Sequence, residues 1–94
     1  MIDVSEERNQ YLDELIQKAQ DLLEELEDEA AEIKRKIARS QVLIEIAKLK
    51  NCPCEDENAK LQTYEKEFEK FCEENRDKEK ELQQNIEMFR RLKV

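Results

Sequence analysis

The three cysteines are the side chains of this chain with the most distinctive chemistry. Cys52 and Cys54 flank the single proline, Pro53, and Cys72 lies further along the chain. Two thiolates this close together could bind part of a tetrahedral zinc site or form an interchain disulfide. Cys72 would lie about 27 Å along a helix from Cys54 at 1.5 Å per residue, so it cannot complete a site with that pair in the same chain.

The composition excludes the common catalytic arrangements. With no histidine, the chain has no imidazole base and no Cys–His pair, and with no glycine it has no phosphate-binding loop. Acidic runs such as residues 24–29 are typical of a solvated helix surface. We therefore expect no enzymatic activity, no catalytic residue and no cofactor. Cys52 and Cys54 are the only candidate metal ligands, and the simpler interpretation is that they are inert turn residues.

One step in the sequence, residues 51–54, looks able to end a helix. Asn51 tolerates the left-handed conformation that closes a helix, and Pro53 suits the first position of the next one. Asp3 with Glu6 resembles a capping box at the chain's first helix. The sequence therefore predicts an all-α fold in a single domain, residues 1–94, with a helix over about 4–50, a turn at about 51–53 and a helix over about 54–93.

The first predicted helix carries a heptad repeat sustained over about five repeats. Leucines at the neighbouring g positions widen its apolar stripe, and three further apolar residues lie on other faces close to the turn. These sets are Ile16, Leu23, Ala30, Ile37 and Ile44 at a; Leu12, Ala19, Leu26, Ile33, Ser40 and Ala47 at d; Leu15, Leu22 and Leu43 at g; and Val42, Ile46 and Leu49 near the turn.

The second predicted helix keeps the same repeat less regularly. Asn75, Lys78 and Asn85 interrupt its seam, where they either weaken the packing or fix the register against a partner. Its apolar seam residues are Leu61, Phe68, Leu82 and Phe89 at a with Tyr64, Phe71 and Leu92 at d. Two helices of this kind predict a long, thin core rather than a globular one.

The net charge of −8 is unevenly distributed: residues 1–32 carry −10, residues 33–50 carry +5 and residues 51–94 carry −3. Folding the chain back about residue 54 places residue i near 108 minus i. This register brings the basic residues 34, 35 and 39 beside the acidic residues 74, 73 and 69, brings Lys93 towards Asp13, and sets Phe68 opposite Ser40. Such matching favours an antiparallel hairpin over a continuous rod that pairs with another chain.

The paired cysteines at the predicted turn resemble a fragment of the zinc hook, a family in which the hairpin apices of two chains share one metal ion. The resemblance covers four residues, 51–54, and the family's motif is C-x-x-C where this chain has Cys52-Pro53-Cys54. The resemblance implies an apex that links two chains through a metal. The shorter spacing and the rigid proline suit chelation of one tetrahedral ion less well.

The sequence predicts a non-enzymatic coiled-coil module for protein–protein interaction or oligomerisation, as a structural subunit of a larger assembly. We expect association as a four-helix bundle or on partner helices, because a solitary hairpin leaves apolar surface in water. The alternative is a small acidic regulator that occupies a basic surface of another protein. The predicted interaction seam is Leu15, Leu22, Leu26, Ile33, Ile37, Leu43, Ile44, Leu61, Phe68, Phe71 and Phe89.

The expected partners are proteins or further copies of the chain. A nucleic-acid partner is not expected, because the basic residues are too few and the net charge is negative. A membrane partner is not expected either, because no run of about 18 apolar residues is present. We expect an intracellular location, cytoplasmic or nuclear. The three cysteines are an odd number and do not form the pattern of a disulfide framework, and the first residues do not resemble a signal peptide.

Overall fold

The computed structural model describes residues 1–94 and contains two α-helices and no strand. Helix α1 spans Ser5–Leu49 and helix α2 spans Glu55–Leu92. Side chains of α1 meet side chains of α2 in antiparallel order, which confirms the predicted all-α helical hairpin. Each helix end lies within one residue of its predicted position, because the apolar spacing continues right up to the residues that end each helix.

The chain divides into two compact units. The first unit consists of Met1–Glu27 and Asn75–Val94, and the second consists of Asp28–Glu74. Each unit contains a segment of α1 packed against a segment of α2. The second unit also contains the connection between the two helices.

The end of α1 is a Schellman motif built around Asn51. Asn51 has a φ of 56°, the left-handed conformation that the sequence predicted for it. Its amide donates to the carbonyl of Lys48 (3.2 Å), and the amide of Cys52 donates to the carbonyl of Ala47 (2.8 Å). These two bonds satisfy carbonyls that the helix end leaves without an intrahelical partner. The helix therefore ends because its last carbonyls are already bonded by the turn.

Helix α2 begins two residues later than it would with Pro53 at its first position. The carbonyl of Cys54 accepts the first bond of the helix, from the amide of Asn58 (3.0 Å), so Cys54 is the cap and Pro53 precedes it. The expectation that Pro53 occupies the first helical position is wrong. The amides of Asn51 and Cys52 are both bonded to α1, so the chain reverses only after them, and the proline supplies an extended residue with no amide to satisfy.

The start of α1 is capped from outside the helix. The carbonyl of Val4 accepts from the amide of Arg8 (2.9 Å), so Val4 holds the cap position that Asp3 was expected to hold. Asp3 instead accepts at Oδ1 from the amide of Ser5 (3.0 Å) and from its hydroxyl (2.7 Å). The Ser5 hydroxyl, followed by the Ser5 amide, holds the pKa of the Asp3 carboxyl below its ordinary value, because both bonds favour the charged form.

The first unit has a small apolar core made by both helices. Ile16 and Ala19 of α1 are buried with Ile86 of α2, and Leu23, Leu82 and Phe89 pack against them. Ile86 was not among the predicted seam residues, because the heptad placed Asn85 at the seam instead. At the outer end of this unit, Asn9 donates to the carbonyl of Val94 (2.8 Å) and accepts from its amide (3.1 Å).

The second unit buries a and d residues of α1 beside half-buried aromatic residues of α2. Ile33, Ser40 and Ile44 are buried, and Ser40 is only 3% exposed. Tyr64 and Phe68 are half-buried. Two lysines of α1 lie over these rings: Lys34 Nζ is 5.6 Å from the centre of Phe68, and Lys36 Nζ is 5.7 Å from the centre of Tyr64. The aromatic rings therefore contact both apolar and cationic side chains of α1.

The left-handed Asn51 makes a direct prediction about stability. Asn51→Gly is expected to leave the free energy of unfolding nearly unchanged, because glycine adopts a positive φ without a steric penalty. Asn51→Val is expected to reduce it by about 1–2 kcal/mol, because a β-branched residue is strained there. Urea unfolding followed by circular dichroism measures both variants. Equal stability of the two variants would show that the turn does not need this conformation.

The Asp3–Ser5 contact predicts a pH effect at the start of α1. Because the folded pKa of Asp3 is lowered, the contact stabilises the helix start above the ordinary aspartate pKa, and that contribution is lost as the pH falls through the folded value. Ser5→Ala removes the hydroxyl donor and is expected to raise the pKa of Asp3, as followed by NMR titration of its carboxyl. Thr63→Ala is the control, since that hydroxyl bonds to the Ala59 carbonyl. An unchanged Asp3 titration in Ser5→Ala would refute the assignment.

Candidate interaction surface

The structure divides the predicted interaction seam into three classes of exposure. The buried members occupy the contact between α1 and α2. Two leucines at g positions remain exposed, Leu22 at 39% and Leu43 at 40%. The buried members are Leu26, Ile33 and Ile44, and the half-buried members are Leu15, Ile37, Leu61, Phe68, Phe71 and Phe89. Most of the predicted seam is therefore used within the hairpin, and the exposed g leucines are what it leaves for a partner.

The register between the helices differs from the predicted one. Lys36 forms an ion pair with Glu67 (3.9 Å), whereas a turn centred at 54 would place it beside Cys72. Ser40 shares a groove with Tyr64 instead of facing Phe68. The reason is the length of the connection: α1 ends at Leu49 and α2 begins at Glu55, so the turn is centred at residue 52.

The predicted charge matching is only partly realised. Lys93 pairs with Asp13 (2.6 Å), as predicted, but Lys34 lies over the Phe68 ring rather than beside Glu74. Arg35 and Arg39 form none of the ion pairs in the structure, so the prediction that they pair with Glu73 and Glu69 is wrong. Arg35 occupies heptad position f, which points away from α2, whereas Arg39 at c faces the groove that it shares with Tyr64. The basic segment of α1 consequently keeps unpaired cations.

An exposed apolar surface lies on α1 close to the turn, within the second unit. Val42, Ile46 and Leu49 are spaced four and three residues apart, and Leu43 precedes Ile46 by three residues, so the four side chains adjoin on one side of the helix. We call this the apex surface, and it comprises Val42 (51% exposed), Leu43 (40%), Ile46 (41%) and Leu49 (86%). Because Val42, Ile46 and Leu49 stay largely exposed, they contribute little to the packing of the hairpin.

A groove of about 250 Å³ lies beside the apex surface, between α1 and α2 of the second unit. Its charged lining is mostly basic, with Glu57 as the one acid. Its full lining is Lys36, Arg39, Ser40 and Leu43 from α1 and Glu57, Lys60 and Tyr64 from α2. Both Arg39 and Leu43 line this groove; Leu43 belongs to the apex surface and Arg39 adjoins it. The groove therefore offers positive charge next to exposed apolar side chains.

The two cysteines near the turn bond to different helix ends. The Cys52 thiol is exposed and donates to the carbonyl of Lys50 at the end of α1 (3.7 Å), while the Cys54 sulfur accepts from the Asn58 side chain of α2 (3.4 Å). The two sulfurs are thus engaged with different helix ends. No group of three or more His, Cys, Asp or Glu side chains is placed to hold a metal ion. The zinc-hook resemblance implies an ion shared with the two thiols of a second chain, and that implication stays a prediction.

Because the two sulfurs bond to different helix ends, we expect that the cysteine pair does not control assembly. Replacing Cys52→Ser together with Cys54→Ser is expected to leave the oligomeric state unchanged, as measured by light scattering during size exclusion. Purified wild-type protein is expected to carry no stoichiometric zinc by elemental analysis. Zinc shared between two chains in the wild type, lost in the double variant together with the oligomer, would overturn this interpretation.

Two further observations complete the description of this surface. Neither α1 nor α2 combines the length and the apolar character that crossing a membrane requires. Comparison with protein-family models, with curated proteins and with solved structures finds no match to this chain. Evidence about the function of this chain therefore comes from its own exposed side chains.

Proposed function

We propose that this chain is a non-enzymatic interaction module, a structural subunit whose hairpin presents a surface to a protein partner or to further copies of itself. The observation that supports this most directly is the apex surface, four large apolar side chains exposed together on one side of α1. A cluster of this kind is typical of a protein interaction site, whereas single exposed apolar residues are common and carry no such meaning.

The energetics favour apolar contact as the main contribution. Burying the exposed part of a half-exposed Val, Leu or Ile side chain is worth about 1 kcal/mol, so the apex surface offers several kcal/mol. An exposed ion pair on the same surface is worth about 0.2–1 kcal/mol. Apolar burial therefore supplies the affinity, and the charges around it supply orientation and selectivity.

The hairpin provides this surface without rearranging. The residues of the intrachain contact are different from those of the apex surface: Ile33, Ser40 and Ile44 are buried while Val42 and Ile46 are exposed. A partner that binds the exposed positions leaves the contact between α1 and α2 intact. The entropy cost of ordering the surface thus arises during folding rather than during binding.

Photo-crosslinking in the native cell tests this proposal. A photoreactive phenylalanine analogue in place of Ile46 is expected to give discrete covalent adducts, at twice the chain's mass for self-association or at another mass for a different partner. The same analogue in place of Gln41, exposed on α1 but outside the apex surface, is the matched control. Adducts that are absent at position 46, or equal at both positions, would contradict the proposal.

A second candidate function is the small acidic regulator. Residues 1–32 carry twelve acidic and two basic side chains, and Asp13 alone among these acids forms an ion pair in the structure. Such a segment could occupy a basic surface of another protein through charge. Salt separates the two candidates, since exposed charge pairs weaken as the Debye length falls from roughly 30 Å at 0.01 M to 3 Å at 1 M. Crosslinking from position 46 that still occurs when a cell lysate is irradiated in 1 M salt favours the interaction module.

A further inference from the structure

The apex surface has a basic edge whose charges are not used within the hairpin. Arg39 and Lys50 lie on the same side of α1 as Leu43 and Ile46, and neither belongs to an ion pair in the structure. Residues 33–50 carry a net charge of +5, with Glu45 as their one acid. An apolar surface with an unpaired basic edge is complementary to an apolar surface with an acidic edge.

The positions of these residues around α1 explain why the apolar side chains and the basic edge lie next to each other. At 100° per residue, Val42 and Leu49 lie at f, directly opposite the contact with α2, and Ile46 lies beside them at c. Arg39 at c and Lys50 at g border this row on the side that turns toward the groove. The apolar row runs parallel to the helix axis over two turns, the geometry that accepts the side chains of another helix packed alongside.

The groove supplies a place for an acidic side chain. Arg39 and Leu43 line it together with Lys36 and Lys60, and the hydroxyls of Ser40 and Tyr64 complete its polar lining. Three cations face one carboxylate there, so a further carboxylate entering from a partner helix meets net positive charge. Lys36 and Lys60 are already paired, with Glu67 (3.9 Å) and Glu57 (3.5 Å), which leaves Arg39 as the cation free to bind it.

The same charges disfavour a second copy of this chain as the occupant. Two apex surfaces related by a two-fold axis would bring the Arg39 and Lys50 edges of both copies together, and like charges in contact oppose association. A nucleic acid is disfavoured as well, because Val42, Ile46 and Leu49 gain nothing from a phosphate backbone. An acidic helix of another protein uses both the apolar row and the basic edge.

We propose that the apex surface binds an amphipathic helix of another protein, with its apolar face on Val42, Ile46 and Leu49 and an acidic edge along Arg39 and Lys50. This inference rests on the proposed interaction function and names the chemistry of the partner. The acidic edge places one carboxylate in the groove beside Arg39. The apolar row determines that binding occurs, and the basic edge determines which helix is accepted.

The test uses two synthetic three-heptad peptides, both with leucine at a and d, one with glutamate at e and g and the other with lysine there. Fluorescence anisotropy of the labelled peptides with the full chain measures binding. The acidic peptide is expected to bind about tenfold more tightly than the basic one, the ratio that corresponds to about 1.4 kcal/mol from a small number of exposed charge pairs. Circular dichroism confirms that the hairpin stays helical.

Charge reversal at the edge is the decisive variant. Arg39→Glu with Lys50→Glu is expected to invert the preference, so that the basic peptide binds more tightly. Lys66→Glu with Lys80→Glu, two exposed lysines outside the apex surface, makes the same change in net charge and is expected to keep the wild-type preference. Ile46→Asp is expected to abolish binding of both peptides. These exposed positions contribute little to folding, so the variants are expected to retain their helical content.

Three results would overturn this inference: no binding of the acidic peptide, equal binding of both peptides, or binding that persists in Ile46→Asp. A fourth result that would overturn it comes from light scattering. If the wild-type chain dimerises and Ile46→Asp is monomeric, the surface takes a second copy, and the partner chemistry proposed here is wrong while the interaction function stands. The absence of crosslinks at position 46 would contradict the interaction function itself, independently of the peptide experiment.

Discussion

A chain without glycine has few ways to end one long helix and begin another, and the conformation of Asn51 is the constraint on which this hairpin depends. With φ at 56°, Asn51 turns the backbone so that two amides bond back to the carbonyls of Ala47 and Lys48. The cap of α2 follows at Cys54. The number of residues between these points determines which residues of α1 and α2 meet, and so places Lys36 beside Glu67.

The size of the side chains then determines how the facing residues pack. The second unit places buried Ser40 of α1 in a groove with Tyr64 of α2, so a small residue leaves room for a large ring. The rings of Tyr64 and Phe68 in turn take Lys36 and Lys34 over their faces. Two of the cations near the turn are therefore bound within the hairpin. Arg39 faces the same groove and forms no ion pair within the hairpin.

Helix positions could be predicted from the sequence almost to the residue, but the contacts between helices could not. Apolar spacing and stop signals are local, so they determine α1 and α2 without knowledge of the fold. The register depends on the conformation of a few turn residues, and moving the turn centre from 54 to 52 changes most of the facing pairs. The pairings of Arg35 and Arg39 failed for a second reason: folding a sequence back on itself ignores the direction in which each helical residue points.

The heptad assignment concealed the core residue Ile86, although the local apolar spacing indicates it. Leu82, Ile86 and Phe89 are spaced four and three residues apart, which is the spacing of a helical stripe in its own right. A strict heptad assigned Asn85 to the seam instead, and the structure buries Ile86 against Ile16 and Ala19. Seam positions near a polar interruption follow the local apolar spacing, because burial of a large aliphatic side chain outweighs the regularity of the repeat.

The apex surface cannot be attributed to the stability of the hairpin. Val42 and Leu49 occupy f positions, the side of α1 that α2 never reaches, so polar residues there would leave the two-helix contact intact and spare the exposure of apolar area to water. The adjacent helix end is already closed by the Asn51 turn, so the surface is ordered before a partner arrives and loses little entropy on binding. The ordered apolar row and the unpaired cations at its edge are the features on which the proposed binding of another molecule rests.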